Sequence, residues 1–479
     1  MNIFEKYKIF VNEKELDIHE ARVSKMPFNR SWPGHQRALD QTLMSGFVSF
    51  DVTGETVIKI ECNFNFTKAV VRPLSYGIVP VKEGNTITFT INRPCQTVVE
   101  FDGMQEVIHL FANPAEDKVT LSDNDLYFGP GEHDVGRIVP KSGQTIYIDS
   151  GAVVYGEIFA WDVENVTIAG RGILDHSKMQ PEENLNNDDI DPLRPSPILF
   201  QYSKNIVIKD IIVRDPCFLA VRPIACEDIT IDNIKIIGCW RYNSDGIDLI
   251  NTRRGTVKNC FVRSFDDSIC LKGFYFLYQG EMFHNHKTYD TMEDITIENC
   301  VVWNDWGHAL HVGVDLCAKE IKNCTFRNCD IIHSVFSALN VSDVDYAEVF
   351  DITYEDIRIE YDDITQQPEF QESDDMEYIF NPDSSYMPYL FKLGIYKCAY
   401  SFGGKKRGKF RNIAFKNISV TAPKMPPSVI DGYDEEYSVD GVVFENITLN
   451  GKTISNIDDM NITMNEYVKN VTLGEDIIK

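Results

Sequence analysis

From about residue 145 one short phrase keeps returning: apolar, polar, Asn or Asp, apolar, polar, apolar. It reads NIVIKDIIV around Asp210, DITIDNIKI around Asn233, TVKNCFV around Asn259, ITIENCVV around Asn299 and EIKNCTF around Asn323. Later copies are ITYEDIRI around Asp356, AFKNISV around Asn417 and VFENITL around Asn446. Successive copies lie 23, 26, 40, 24, 33, 61 and 29 residues apart. A base period in the twenties, lengthened by insertions, restricts the chain to a solenoid in which each turn lays down short strands. Helical periodicity is almost absent, which excludes leucine-rich and ankyrin solenoids. Turns would stack at the strand spacing of about 4.8 Å, so that equivalent positions form ladders. The slot after the repeated Asn or Asp holds Ile211, Ile234, Cys260, Cys300, Cys324, Ile357, Ile418 and Ile447, the signature of an interior packing position. The expected fold is therefore all-β, with a right-handed parallel β-helix over residues 116–479.

Residues 1–115 read differently. VSFDVTGETVIKIEC, AVVRPLSYGIVPVKEGNTITFTI and TVVEFDG are strand-like runs broken by Gly, Pro and Asn turns, and several short strands in so few residues predict an antiparallel β-sandwich. LFANPAEDKVT reads as the boundary. Two insertions break the repeat, one polar from Ser177 and one aromatic from Asp363; on a β-helix such loops wall a groove or meet a partner.

The net charge of −27, from 46 basic and 73 acidic residues, argues against nucleic acid and anionic membranes as partners. No apolar run is long enough to span a bilayer. MNIFEKYKIFVNEKELD carries acids where a secretion leader needs a basic start and an apolar stretch, so a cytoplasmic location is expected. Twelve cysteines fit neither zinc-ligand spacing nor a disulfide framework, and are read as buried thiols. No cofactor and no metal is expected. A homo-oligomer is compatible with the sequence.

The chemistry concentrates in RYNSDGIDLINTRRGTVKNCFVRSFDDSICLKG. Asp245 precedes the pair Asp266 and Asp267 by 21 residues, about one turn, which sets three carboxyl groups close together one rung apart. Like charges so placed push their pKa values apart. That separation is what glycosidic hydrolysis needs: one carboxylic acid to protonate the leaving oxygen, one carboxylate to activate water. His308, in WNDWGHALHVG, follows Asp266 by 42 residues, either two turns or one turn with an insertion, and can tune the acid.

These phrases resemble glycoside hydrolase family 28, the polygalacturonases and related pectin hydrolases, which carry Asn-Thr-Asp-Gly, Gly-Asp-Asp, Gly-His-Gly and Arg-Ile-Lys on successive turns. Asn243-Ser244-Asp245-Gly246, Asp266-Asp267 and Gly307-His308 match the first three in order over roughly residues 145–450. The resemblance implies a pectin-lyase-like β-helix and an inverting mechanism. Asp266 would be the general acid, Asp245 and Asp267 would activate water, and His308 would assist. Asn243, Asp248, Lys272, Trp306 and Asn340 are expected to bind a carbohydrate substrate. Departures are Phe265 and Ala309 in place of Gly, and Asn340 and Ser342 where Arg and Lys stand. The lost cation pair, in so acidic a chain, points toward a neutral glycan, with Arg222, Arg241 and Arg263 as the cations left to replace it. The sandwich-then-helix plan also resembles family 49, the dextranases and isopullulanases, which act on neutral α-glucans. Trp240, Trp306, Phe274, Tyr275 and Tyr278 are the aromatic residues available to stack on such sugars. The alternatives carried beside hydrolysis are a polysaccharide lyase and a non-catalytic carbohydrate-binding β-helix protein.

Overall fold

The computed structural model describes residues 2–30, 39–179, 195–274, 290–373, 375–399, 401 and 404–479. From Leu126 onward the strands wind into a right-handed parallel β-helix. Each coil contributes one strand to each of three faces. One face stacks Ile198–Gln201, Val221–Ile224, Ile247–Ile250, Ile269–Gly273, His308–Leu316, Ser337–Asp343 and Tyr389–Ile395, every neighbour parallel.

The coil corner is set by a backbone that only short polar residues tolerate. Asp210, Asn233, Asn259, Asn299, Asn328, Asp356, Asn417 and Asn446 all sit at positive φ, between 49° and 72°, in the left-handed region that Asn and Asp enter far more readily than branched residues. Their side chains also bond rung to rung: Asn233 donates to Asp210 at 2.7 Å, Asn328 to Asn299 at 2.7 Å and Asn446 to Asn417 at 2.9 Å. The residue after each corner points inward. Cys260, Cys300 and Cys329 are fully buried there beside Ile234 and Ile357.

One copy of the repeat is misplaced by the sequence pattern. Glu298 pairs with Arg327, so the rung after Asn299 is Asn328 with Cys329, not Asn323 with Cys324. Asn323 belongs to a second corner ladder with Asp294, Asp351 and Asn412: it donates to Asp294, and Asn412 donates to Asp351 at 3.2 Å. NCTF and NCDI present the same polar and apolar order five residues apart, and only the register distinguishes them. All twelve cysteines are free thiols, and eleven are buried.

The N-terminal part forms two five-stranded sheets. Pairing is antiparallel except between Thr42–Asp51 and Val107–Asn113, which run parallel. Phe47, Val98 and Phe111 press against Ile212, Phe261, Trp303 and Ile332 of the β-helix. Such aromatic burial stabilises by about 1.5–3 kcal/mol per side chain. Arg72, paired within its own sheet to Glu100 at 2.9 Å, crosses the same junction to Glu360 at 2.5 Å and Asp362 at 3.0 Å. Strand Phe28–Arg30 pairs in parallel with Glu369–Gln371, within the aromatic insertion from Asp363. Among the described residues no helix is long and apolar enough to cross a membrane.

Candidate active site

The three aspartates come together because adjacent coils run in register. Ile247 pairs with Ile269 and Asp248 with Cys270. Just upstream, Gly246 N–H donates to the Asp267 carbonyl at 2.8 Å and Asp266 N–H to the Ser244 carbonyl at 3.3 Å. Asp245 is thus level with Asp267, and Asp266 with Ser244, a shift of one residue from a 21-residue turn. The close approach needs glycine. A Cβ at Gly246 would stand 2.3 Å from the Ser268 carbonyl oxygen, and one at Gly307 2.6 Å from Asp266 Oδ1.

Lys272 holds the cluster. Its Nζ lies 2.5 Å from Asp245 Oδ2, 2.9 Å from Asp248 Oδ1 and 3.3 Å from Asp267 Oδ2. One ammonium cannot neutralise four carboxylates, three of them buried and Asp266 half-buried, so protons remain in the site. Burial, then the charge of Asp267, pushes the Asp266 carboxyl up to about 7. Burial opposes ionisation of Asp267 too, yet His311 and Lys272 outweigh it and hold that carboxyl below the usual range. Burial pushes Asp245 and Asp248 upward against the pull of Lys272. Lys272 itself stays charged, because Asp245 and Asp248 overcome its burial. The adjacent pair Asp266–Asp267 therefore divides into a proton holder and an anion.

His308 lies on the next coil, one turn away across an insertion, as the pairing of Cys270 with His311 shows. Its backbone N–H donates to Asp267 Oδ1 at 3.1 Å, and its ring Nδ1 is 2.6 Å from Ser337 Oγ. Burial keeps its imidazole neutral. Sequence reasoning missed His311. It is fully buried, with Nδ1 3.4 Å from Asp267 Oδ2 and its ring 4.3 Å from that of His308. The spacing His-x-x-His on one strand was its only signal. Asp267, His308 and His311 also bring ligand-type atoms within 4.8 Å of one another, the one such group among the described residues.

The cluster floors a cleft of about 480 Å³. Asn243, Asp245, Asp266, Asp267, Lys272, Trp306 and His308 line it, and Phe218, Phe274, Phe336 and Phe370 form apolar walls. Trp306 packs edge-on against Phe370 at 4.8 Å. The strand that carries Phe370 is the one paired with Phe28–Arg30, so the N-terminal part helps build this wall.

Two expected substrate ligands lie beneath the cleft instead. Asp248 is fully buried and ion-paired to Lys272. Asn340 is fully buried and donates to Ser337 Oγ at 3.2 Å, supporting the hydroxyl that meets His308. Their strand positions alternate correctly, but neighbouring chain covers them. Trp240 is packed away, with its indole N–H on Asp215 at 2.8 Å. Arg241 pairs with Asp215 at 2.5 Å, and Arg263 pairs with Asp305 at 3.1 Å under Trp303. Arg222 is buried against the Phe218 ring. None of the three arginines lines the cleft. Tyr275, Tyr278 and most of the insertion from Ser177 lie outside the described residues.

Fold and site geometry define the class: a β-helix protein with a carboxylate-floored cleft. Residues 148–371 match the sequence profile of Glycosyl hydrolases family 28, and this stretch contains the whole carboxylate cluster. The dextranase of Arthrobacter sp. (strain CB-8) is 23% identical over 236 residues, 45% of this chain and 33% of that protein. The chain therefore spans about a third of the length of the curated relatives it matches. Among solved structures, Dex49A from Penicillium minioluteum superimposes with a TM-score of 0.63 at 11% identity, covering 98% of this chain and 94% of that one. An exopolygalacturonase from Thermotoga maritima gives 0.52 at 17% identity, covering 74% and 85%. At these identities the likeness is one of fold, including the N-terminal part in the case of Dex49A.

Proposed function

We propose that the cleft hydrolyses glycosidic bonds in an oligosaccharide or polysaccharide with inversion at the anomeric carbon. The observation that carries this reading is the meeting of Asp245, Asp266 and Asp267 at the floor of one cleft, with Lys272 2.5 Å from Asp245 and 3.3 Å from Asp267; there burial and the charge of Asp267 push Asp266 up to about 7 while Asp267 is held below the usual carboxylate range. A proton holder and a proton acceptor in one cleft are the two parts such hydrolysis requires. Asp266 donates its proton to the glycosidic oxygen as that bond to the anomeric carbon breaks. A water oxygen bonds to the same carbon from the opposite face, held by Asp245 and Asp267, and its proton passes to the ionised Asp267. Lys272 keeps Asp245 and Asp267 together. Neutral His308 steadies Asp267 through its backbone N–H and lies beside the reacting centre. The profile match over residues 148–371 supports the same assignment. The aromatic walls offer apolar surface to sugar faces. A division at residues 115/116 fits the strand-free stretch between Asn113 and Leu126.

Asp266, the proton holder in the cleft, supplies the acid that hydrolysis needs, and Lys272, locked among three carboxylates, is not free to act as a lyase base. The test is digestion of polygalacturonate, dextran, pullulan and aryl glycosides by wild type and Asp266→Asn, with products separated by chromatography and their anomeric form read by proton NMR. Cleavage that releases the inverted anomer and is lost in the variant supports the proposal. A retained anomer or an unsaturated product overturns it.

A further inference from the structure

The N-terminal part presses on the face of the β-helix that carries Lys235–Ile237, Phe261–Ser264 and Val301–Asn304. In each coil a corner residue precedes this strand and a cleft residue follows it, as Asn259 and Asp266 flank Phe261–Ser264. The carboxylate cleft therefore runs along one edge of the covered face. Along the other edge lies a separate groove of about 730 Å³, within the usual size range of ligand sites. The two share no lining residue.

One wall of this groove is the corner ladder. Asn328 donates to Asn299 at 2.7 Å, Asn299 to Asn259 at 3.3 Å and Asn259 to Asp232 at 2.7 Å. A primary amide has two N–H groups and an oxygen with two lone pairs. After these bonds Asn259 and Asn299 each keep one donor and one acceptor, and they are half-buried and exposed respectively. The other wall comes from the N-terminal part. There the Arg93 guanidinium is exposed and lies 5.1 Å from the centre of the Tyr76 ring. Among the described residues it meets no hydrogen-bond acceptor. Gln96, 6% exposed, donates to Asn233 at 3.0 Å and leaves its Oε1 without a donor.

The charges around the groove balance, four basic side chains against four acidic ones. Arg171 is held by Asp210 at 2.7 Å and Arg358 by Asp330 at 2.6 Å. In a chain of net charge −27, such local neutrality favours neither an anion nor a cation. Paired donors and acceptors that recur on successive coils match hydroxyl groups, which both donate and accept. The second corner ladder, through Asp294, Asn323, Asp351 and Asn412, is exposed throughout, so a corner ladder needs no wall for its own stability.

We propose that this groove is a second, non-catalytic site that binds a stretch of uncharged glycan chain parallel to the helix axis. Asn259 and Asn299 take its hydroxyls on one side, and Arg93, stiffened on Tyr76, takes them on the other. The four coil steps from Asp210 to Asn328 span about 19 Å at the strand spacing, room for several sugar units. The class of ligand is read from the groove itself; only its service to a substrate polymer rests on the glycan-cleaving assignment of the cleft.

The test is native affinity electrophoresis of Asp266→Asn protein, used so that the polymer in the gel stays intact. The gels contain dextran, pullulan, galactan or polygalacturonate. Retardation by a neutral polymer is expected. Arg93→Ala should weaken it roughly tenfold, the size of one hydrogen bond to a charged group. Asn299→Asp should weaken it by a similar factor, because the groove loses a donor and gains a charge. Arg93→Ala should keep the thermal unfolding midpoint of its parent, since this exposed guanidinium makes no hydrogen bond or ion pair in the protein, so lost retardation would not reflect lost fold. Retardation that both variants leave unchanged overturns the proposal, as does retardation by polygalacturonate alone or by none of the four polymers. Hydrolysis by wild type, and its loss in Asp266→Asn, tests the cleft separately: cleavage would stand if groove binding failed, and retardation lost in Arg93→Ala would stand if nothing were cleaved.

Discussion

The backbone N–H of His308 donates to Asp267 Oδ1 at 3.1 Å, tying the carboxylate pair of one coil to the histidine of the next. Neither residue can shift along the helix axis without breaking this bond or the pairing of Ile269 with Leu310 beside it. The solenoid thereby turns a linear spacing into a fixed constellation.

Asp266→Asn should lower kcat by roughly 10²–10⁴-fold, the usual contribution of a positioned acid, on whichever glycan the screen identifies. Thermal unfolding followed in parallel should show a fold at least as stable as wild type near pH 8, since the amide removes a carboxyl that burial disfavours as an anion.

The pH dependence follows in sign from Asp266. Its folded pKa of about 7 lies above its ordinary value, so the acid is competent below that pH and activity should fall as pH rises through about 7. The same shift makes the folded state bind the proton more tightly than the unfolded chain. Its contribution to stability is complete below about pH 4 and is lost as pH rises toward 7. The stability gain from Asp266→Asn should grow across that window and level off above it, as read by denaturant melts at each pH.

Lys272→Met should cost on the order of 3–5 kcal/mol in urea unfolding, because it leaves buried carboxylates without their cation. Adding Asp248→Asn to it should recover part of the loss. A cost within about 0.5 kcal/mol, the range of an ordinary surface substitution, would contradict the placement of this ammonium at the centre of the cluster.

At the junction of the two parts, His333 lies between Glu100 and Asp362, the latter at 2.7 Å. Against its burial, Asp362 and Glu100 raise it to about 9. A raised histidine stabilises fully below its unfolded value of about 6.5 and loses that contribution as pH rises through 9. His333→Gln should therefore cost on the order of 3 kcal/mol near pH 6, with the deficit shrinking toward pH 9. A deficit that does not change with pH would show that the histidine is not charged in the fold.

The repeated Asn or Asp, the inward Ile or Cys and the absence of helical phase determined a parallel β-helix from the sequence alone, because left-handed corners and interior slots impose the same residue types on every coil. Asp245, Asp266 and Asp267 were legible for a related reason: one turn of separation places them together whatever the loops do. Asn323 was misread because two corner ladders use the same residue types five positions apart, and hydrogen-bond register alone separates them. Asp248 and Asn340 have the alternation of outward residues, yet the chain folded over them decides their burial. His311 lies on the same ladder as Asp248, across an insertion that hides its phase. The wall strand Glu369–Gln371 owes its place to a partner more than 300 residues earlier, a pairing that no local pattern encodes. Periodicity reports what each coil must repeat, and only the three-dimensional fold reports what lies above the ladder.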